Sequence, residues 1–167
     1  MPGQGIVVRL ARRRRAADDG AQMARNYPQN TATRAINRVF ATLTRLGMGA
    51  SYRHLLTVRG RKTGQLHTTP VDVMDVGGQR WLVAGYGPAN WVRNARAAGE
   101  VTLSRGGHQH RYAIAEPAPG EAVPVLRKYL TDIRVIRPYF DATPASPDSE
   151  IKAELARHPV LRLIPRP

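Results

Sequence analysis

Ser51-Tyr-Arg-His-Leu-Leu-Thr-Val-Arg59, Gly60-Arg-Lys-Thr-Gly64 and Gln65-Leu-His-Thr-Thr-Pro-Val-Asp-Val-Met74 follow one another without a break, and their reading decides the fold. The outer two segments, built largely on Leu, Val and Thr, read as strands. Between them two glycines frame a guanidinium, an ammonium and a hydroxyl, so the chain reverses at a turn loaded with anion donors. Glycine permits positive φ and a close backbone approach. Arginine offers a planar fork for phosphate or carboxylate, and lysine a mobile point charge. Taken alone, such a turn fits a solvated basic hairpin at least as well as a binding site.

Strand-like segments continue downstream. Val76-Gly-Gly-Gln79 is a hairpin signal, and Arg80 to Tyr86 reads as a third strand. Gly87-Pro-Ala-Asn90 breaks it, and Trp91 to Ala98 reads as a short helix stopped by Gly99. Glu100–Arg105 and His108–Glu116 form a hairpin around Gly106 and Gly107, and Pro117–Gly120 reads as a loop. Glu121 to Ile133 is helical, with Val125, Leu126, Tyr129, Leu130 and Ile133 on one face. Arg137-Pro-Tyr-Phe-Asp141 interrupts that helix, and a proline-rich loop runs from Thr143 to Pro147. Asp148 or Ser149 caps a last helix reaching Arg157, and His158 to Pro165 is a final short strand. Strands do not alternate with helices, so a parallel sheet is not expected. The class is α+β, mainly antiparallel β: a barrel-like sheet with peripheral helices.

Upstream, residues 1–28 read as a basic tail around Arg12, Arg13, Arg14 and Arg15, and residues 29–167 as a single barrel domain. Like charges in a block are usually solvated; the functional alternative is a peripheral anchor to an anionic membrane. Another reading starts the native chain at Met23. From Thr31, Ile36, Val39, Phe40, Leu43 and Leu46 recur at helical spacing until Gly47 and Gly49, a stripe suited to packing on a sheet.

The 167 residues are 42% hydrophobic and 23% charged, which suits a globular domain. No apolar run approaches membrane-span length, and no signal peptide is evident, so the expected location is the cytoplasm. Zero cysteine removes disulfides and thiolate chemistry together. The formal charge is +14, but only three of the 26 basic residues are lysine, and they scatter through every segment. That distribution favours anionic small molecules or lipid headgroups over nucleic acid, which is not an expected partner.

Few residues announce acid–base or metal chemistry. No Rossmann or P-loop fingerprint is present. His108 and His110 share a strand face without a neighbouring carboxylate, so no metal site is expected. Asp72 and Asp75 fall on opposite faces of one strand, and no serine sits in a nucleophile elbow. A two-part constellation stands out instead. The basic turn is followed by Asn90-Trp-Val-Arg-Asn94 at a helix start, where free N–H groups attract anions and Trp91 supplies a flat wall. Trp91 reads equally well as a core residue between helix and sheet. Together the two elements describe a pocket for a flat, phosphate-bearing cofactor.

Leu55-Leu-Thr-Val-Arg-Gly-Arg-Lys-Thr-Gly-Gln-Leu-His-Thr-Thr-Pro-Val71, Trp81-Leu-Val-Ala-Gly85, Asn90-Trp-Val-Arg-Asn94 and Glu100-Val-Thr-Leu103 resemble the deazaflavin-dependent nitroreductase family. These are actinobacterial split-β-barrel oxidoreductases of the FMN-binding-protein-like fold that use coenzyme F-420. The likeness covers about residues 35 to 165. It implies that Arg61, Lys62, Thr63 and Gly64 hold the cofactor phosphate and acidic tail. Thr68, Thr69 and Pro70 would line the deazaflavin ring, and Asn90, Trp91 and Asn94 would close the site. The loop Gly85–Asn90 is shorter than in many members, and Tyr86 stands where they carry a lysine. The implied reaction is hydride transfer to a quinone, nitroaromatic or enone, by a monomer or homodimer. The substrate proton would come from solvent or from a tyrosine near the pocket, with Tyr86, Tyr129 and Tyr139 as candidates and Tyr139 preferred as the catalytic residue; Tyr86 is also expected among the cofactor-binding residues. Alternatives on the same barrel are an FMN-dependent enzyme and a non-catalytic carrier of a lipid or heme-like ligand.

Overall fold

The basic turn closes an antiparallel hairpin of β1 (Arg53–Arg59) and β2 (Leu66–Val76), in register from Arg53 opposite Asp72 to Arg59 opposite Leu66. The computed structural model describes residues 50–167. The expected basic tail, including Arg12–Arg15, and the expected helix from Thr31 lie outside the described residues. β2 turns into β3 (Gln79–Val83) through Gly77 and Gly78, both at positive φ, the backbone a tight two-residue hairpin requires. β4 (Glu100–Arg105) and β5 (His108–Ala115) form a second hairpin, and β6 (Val160–Pro165) lies between β3 and β5. Pairing of β1 with β4 closes a six-stranded barrel in the order β1-β2-β3-β6-β5-β4, antiparallel throughout. The expected fold class is the one observed, and closure leaves no sheet edge exposed.

Among the described residues three helices decorate the barrel: α1 (Asn90–Ala98), α2 (Pro119–Asp132) and α3 (Asp148–Glu154), with a 3-10 turn at Arg134–Tyr139. Two apolar cores result. One fills the barrel, with Leu56, Val58, Val73, Leu82, Leu103 and Leu161, and α1 plugs it through Val92 and Ala95. The other lies between the barrel wall and α2, where Met74, Trp81 and Val83 meet Leu126, Tyr129, Leu130 and Ile133. β3 is buried on both faces, which is why Trp81, Leu82 and Val83 form an unbroken apolar run.

Several boundaries differ from the sequence reading. β3 stops at Val83, because the following residue leaves the ladder: Ala84 donates its N–H to Pro159, and its carbonyl accepts from Gly87. α2 begins at Pro119 rather than Glu121; a proline in the first turn and a Glu121 carboxylate accepting the Ala118 N–H start it earlier. α3 is shorter than expected and has no side-chain cap from Asp148 or Ser149.

Candidate functional site

A cavity of about 940 Å³ opens between the β1–β2 hairpin, the loop after β3 and the start of α1. Its outer end is the basic turn. Gly60 and Gly64 close that turn on themselves: Gly60 donates to Gln65 O and Gly64 to Gly60 O, at 2.7 and 2.8 Å. Gly64 has φ +70°, and a Cβ on Gly60 would meet the His67 ring at 2.7 Å. Positive φ thus calls for glycine at Gly64, while at Gly60 an added Cβ would displace the exposed His67 ring and crowd Gln65 O at 3.1 Å. Arg59 Nη1 donates to the Gly64 carbonyl at 2.9 Å, a further tie across the loop.

Asn94 ties this turn to α1. It is buried (7% exposed), and its Oδ1 accepts both the Arg61 N–H at 3.3 Å and Arg61 Nη1 at 2.8 Å. The cation is therefore presented from a fixed position. Lys62, Thr63, His67 and Arg93 lie beside it on the cavity wall. α1 starts there without a side-chain cap or an acid in its first turn, so its positive end faces the same region uncompensated.

Val58, Thr69, Pro70 and Val71 form one wall, and the loop from Ala84 to Asn90 with Trp91 forms the other. The inner end holds a buried polar cluster. Asp72 Oδ1 accepts from Arg53 Nε and Nη2 at 3.1 and 3.0 Å, and Asp72 Oδ2 accepts the Tyr129 hydroxyl at 3.0 Å. Burial above all, then the Asp72 charge and hydrogen bond, push the Tyr129 hydroxyl far above its ordinary pKa. Tyr129 is a hydrogen-bond donor here, not an acid. Gly85 lies directly beneath it: a Cβ there would fall far inside contact with the Tyr129 hydroxyl and 2.8 Å from its ring.

Among the expected site residues, the structure gathers Arg61, Lys62, Thr63, Thr69, Pro70, Tyr86, Asn90, Trp91 and Asn94 around this one cavity. Gly64 shapes the turn without lining the cavity. Thr68 points to the outer face of the hairpin, where its hydroxyl meets that of Thr57 at 2.9 Å. Tyr139 is half exposed and lies behind Tyr86, the two rings edge to face at 5.0 Å. His108 and His110 are exposed, and among the described residues no three His, Cys, Asp or Glu side chains gather where a metal could sit. Arg53, His67, Asp72 and Gly85 also line the cavity but were not expected there. The available signal was a lone carboxylate, Asp72, inside the apolar strand Pro70-Val-Asp-Val-Met74, because a buried charge must find a partner.

The donor set suits an anionic group at the turn and a planar body along the cleft. Among the described residues, four cations line the cavity (Arg53, Arg61, Lys62 and Arg93) against a single acid, Asp72. Trp91, Pro70 and Val58 give it apolar walls. A family model described as F-420H(2)-dependent quinone reductase matches residues 28–144. This chain belongs to that family. It is an oxidoreductase, and its cofactor is coenzyme F-420. The cations at the turn and the apolar surface of Trp91 are chemically suited to a cofactor with an anionic tail and a planar ring. No curated protein matches the chain. Solved structures with a similar chain path include one titled F-420-H2-dependent reductase, at 15% identity and TM-score 0.46, over 68% of this chain and 94% of that one. A FAD-binding protein from Mesorhizobium loti matches at 12% identity and TM-score 0.45, over 77% and 89% of the two chains. At such identities the likeness concerns the path of the chain alone.

Proposed function

We propose that the chain transfers hydride to an electron-poor acceptor, a quinone foremost, with nitroaromatics and activated enones as related substrates. The observation that carries this reading is the cavity running from a rigid basic turn to a second charged cluster, walled by Trp91 and Pro70. Reduced coenzyme F-420 supplies the hydride when bound. The protein's part is to hold, orient and exclude water. Arg61, Lys62 and Thr63 bind the phosphate and acidic tail, and Asn94 keeps Arg61 aimed. Thr69, Pro70 and Trp91 confine the planar ring, and the backbone of the strand around Thr68 meets its polar edge. Gly64 sets the turn, and Asn90 begins the helix whose positive end faces the phosphate. Tyr86, backed by Tyr139, covers the mouth on the acceptor side.

Titration with oxidised coenzyme F-420, followed by its fluorescence, tests the binding half of the proposal. Micromolar or tighter affinity is expected for the wild type. A charge-assisted contact is worth about 1.5–3 kcal/mol, so Lys62→Ala is expected to bind at least about tenfold more weakly. Equal affinity in the two proteins would remove the phosphate role of the turn. Anaerobic reoxidation of the reduced cofactor by a quinone, dependent on the protein, tests the transfer itself.

A further inference from the structure

The inner end of the cleft is built around Arg53. Its side chain lines the cavity and is 25% exposed. Asp72, only 5% exposed, grips it through two N–H groups on one carboxylate oxygen and takes the Tyr129 hydroxyl on the other. The carboxylate is thereby shared between two donors. Arg53 and Asp72 are direct cross-strand partners in the β1–β2 register, so the pair is fixed by the same hairpin that carries the basic turn.

Position along that hairpin matters. β1 runs seven residues from Arg53 to Arg59, about 20 Å at ~3.3 Å per residue, with Arg53 at its start and the basic turn following its end. A ligand whose anion were held by Arg61 and Lys62 would have the length of the cleft, with Arg53 in its lining, for its planar part. An acceptor beside that planar part would then lie near the guanidinium. The wall opposite is equally constrained, since Gly85 admits no side chain beneath Tyr129. Tyr129, Asp72, Arg53 and the loop after β3 form one unit.

We propose that Arg53 is the acceptor-side cation of this site, binding the acceptor oxygen on which negative charge develops, with Asp72 and Tyr129 as its positioning residues. The inference rests on the hydride-transfer reading above. Hydride adds one proton and two electrons to a quinone, giving the hydroquinone monoanion; one proton from water completes the hydroquinone, and the hydride donor is left oxidised. The monoanion's phenolate oxygen carries the new charge, and a preorganised guanidinium stabilises it more than it stabilises the neutral carbonyl. The site therefore favours acceptors whose reduced form is an oxyanion.

The test measures equilibrium binding to the protein loaded with oxidised coenzyme F-420, using lawsone, a hydroxynaphthoquinone that is anionic at neutral pH, and its neutral parent naphthoquinone. The wild type is expected to prefer lawsone. Arg53→Gln is expected to weaken lawsone about tenfold while changing the neutral quinone less than about threefold, as loss of one charge-assisted contact predicts. Tyr129→Phe keeps the ring, and is expected to lower the lawsone-to-naphthoquinone preference about threefold; this variant decides the matter if Arg53→Gln does not fold. An unchanged preference in the variants overturns the role of Arg53. Cofactor affinity is measured alongside: a wild type that does not bind coenzyme F-420 overturns the underlying reading, whereas normal cofactor binding with an unaltered quinone preference overturns this inference alone.

Discussion

Asn94 shows how one side chain joins two elements of the site. Its amide oxygen takes two hydrogen bonds from Arg61, so helix α1 holds the basic turn in place. Asn94→Ala leaves that backbone N–H and guanidinium without their acceptor. We expect a stability loss of about 1–2 kcal/mol by chemical denaturation, and cofactor affinity several-fold weaker. Unchanged affinity would mean that the turn orders itself. Gly85 is the second such position. A methyl group there must drive the Tyr129 ring out of its place, and overpacking of this kind costs about 1–3 kcal/mol. Gly85→Ala is therefore expected to lower the unfolding midpoint, and to expose Tyr129 to ultraviolet titration at lower pH than in the wild type.

At the scale of elements, α1 does most to shape the site, because Trp91, Arg93 and Asn94 all come from its first two turns. It is short, and its end is set by Gly99, whose φ of +71° lets its N–H reach Ala95 O at 2.8 Å. Replacing Gly99 with alanine strains that left-handed residue and is expected to cost about 1 kcal/mol. Thermal unfolding of the variant checks this, and a wild-type midpoint would argue against a tight cap. The helix was legible beforehand because Gly87-Pro-Ala and Gly99 bracket it. The beginning of α2 was less so. Pro117-Ala-Pro-Gly120 has the composition of a loop, yet Pro119 sits in the first turn, where its missing N–H costs nothing, and Glu121 closes the turn behind it.

For the molecule as a whole, pH acts through two imidazoles, the partly buried His54 and the buried His158. Burial lowers the pKa of His54, with Arg80 and Arg105 adding to the effect against the Tyr52 carbonyl. Burial likewise lowers that of His158, with Arg157 assisting and the Ala84 and Tyr139 carbonyls and Glu154 opposing. Both groups bind protons more readily in the unfolded chain, whose histidines titrate near 6.5. Their contribution to stability is then complete above that value and is lost as pH falls from about 6.5 towards the lower folded values. Unfolding midpoints are expected to rise from about pH 5 to about pH 7.5, with a shallower slope in His54→Asn. An identical slope would assign the effect to His158 instead. His158 also links regions far apart in sequence: its ring stacks on Phe140 at 3.7 Å, while its nitrogens lie 3.2 Å from Ala84 O and 3.1 Å from Tyr139 O. It thereby joins the loop under Tyr86 to the segment carrying Tyr139.

The order of strands and turns was open to reading, because hairpins between neighbouring strands are local and their turn residues announce them. Gly60-Arg-Lys-Thr-Gly64 and Asn90-Trp-Val-Arg-Asn94 could be recognised for a similar reason: each places its donors within five residues, so adjacency in the chain is adjacency in space. Sequence by itself thus determined the class of fold, the basic end of the cleft and the family. Barrel closure, which lays β6 between β3 and β5, and the docking of α2 on the wall outside were decided only in three dimensions. So was the cluster at the inner end. Arg53, Asp72 and Tyr129 are separated by 19 and 57 residues, and no local pattern encodes such a meeting. Cross-strand register aligns the first two and helix packing delivers the third, because a carboxylate buried in an apolar wall is tolerated only where the fold brings donors to both of its oxygens.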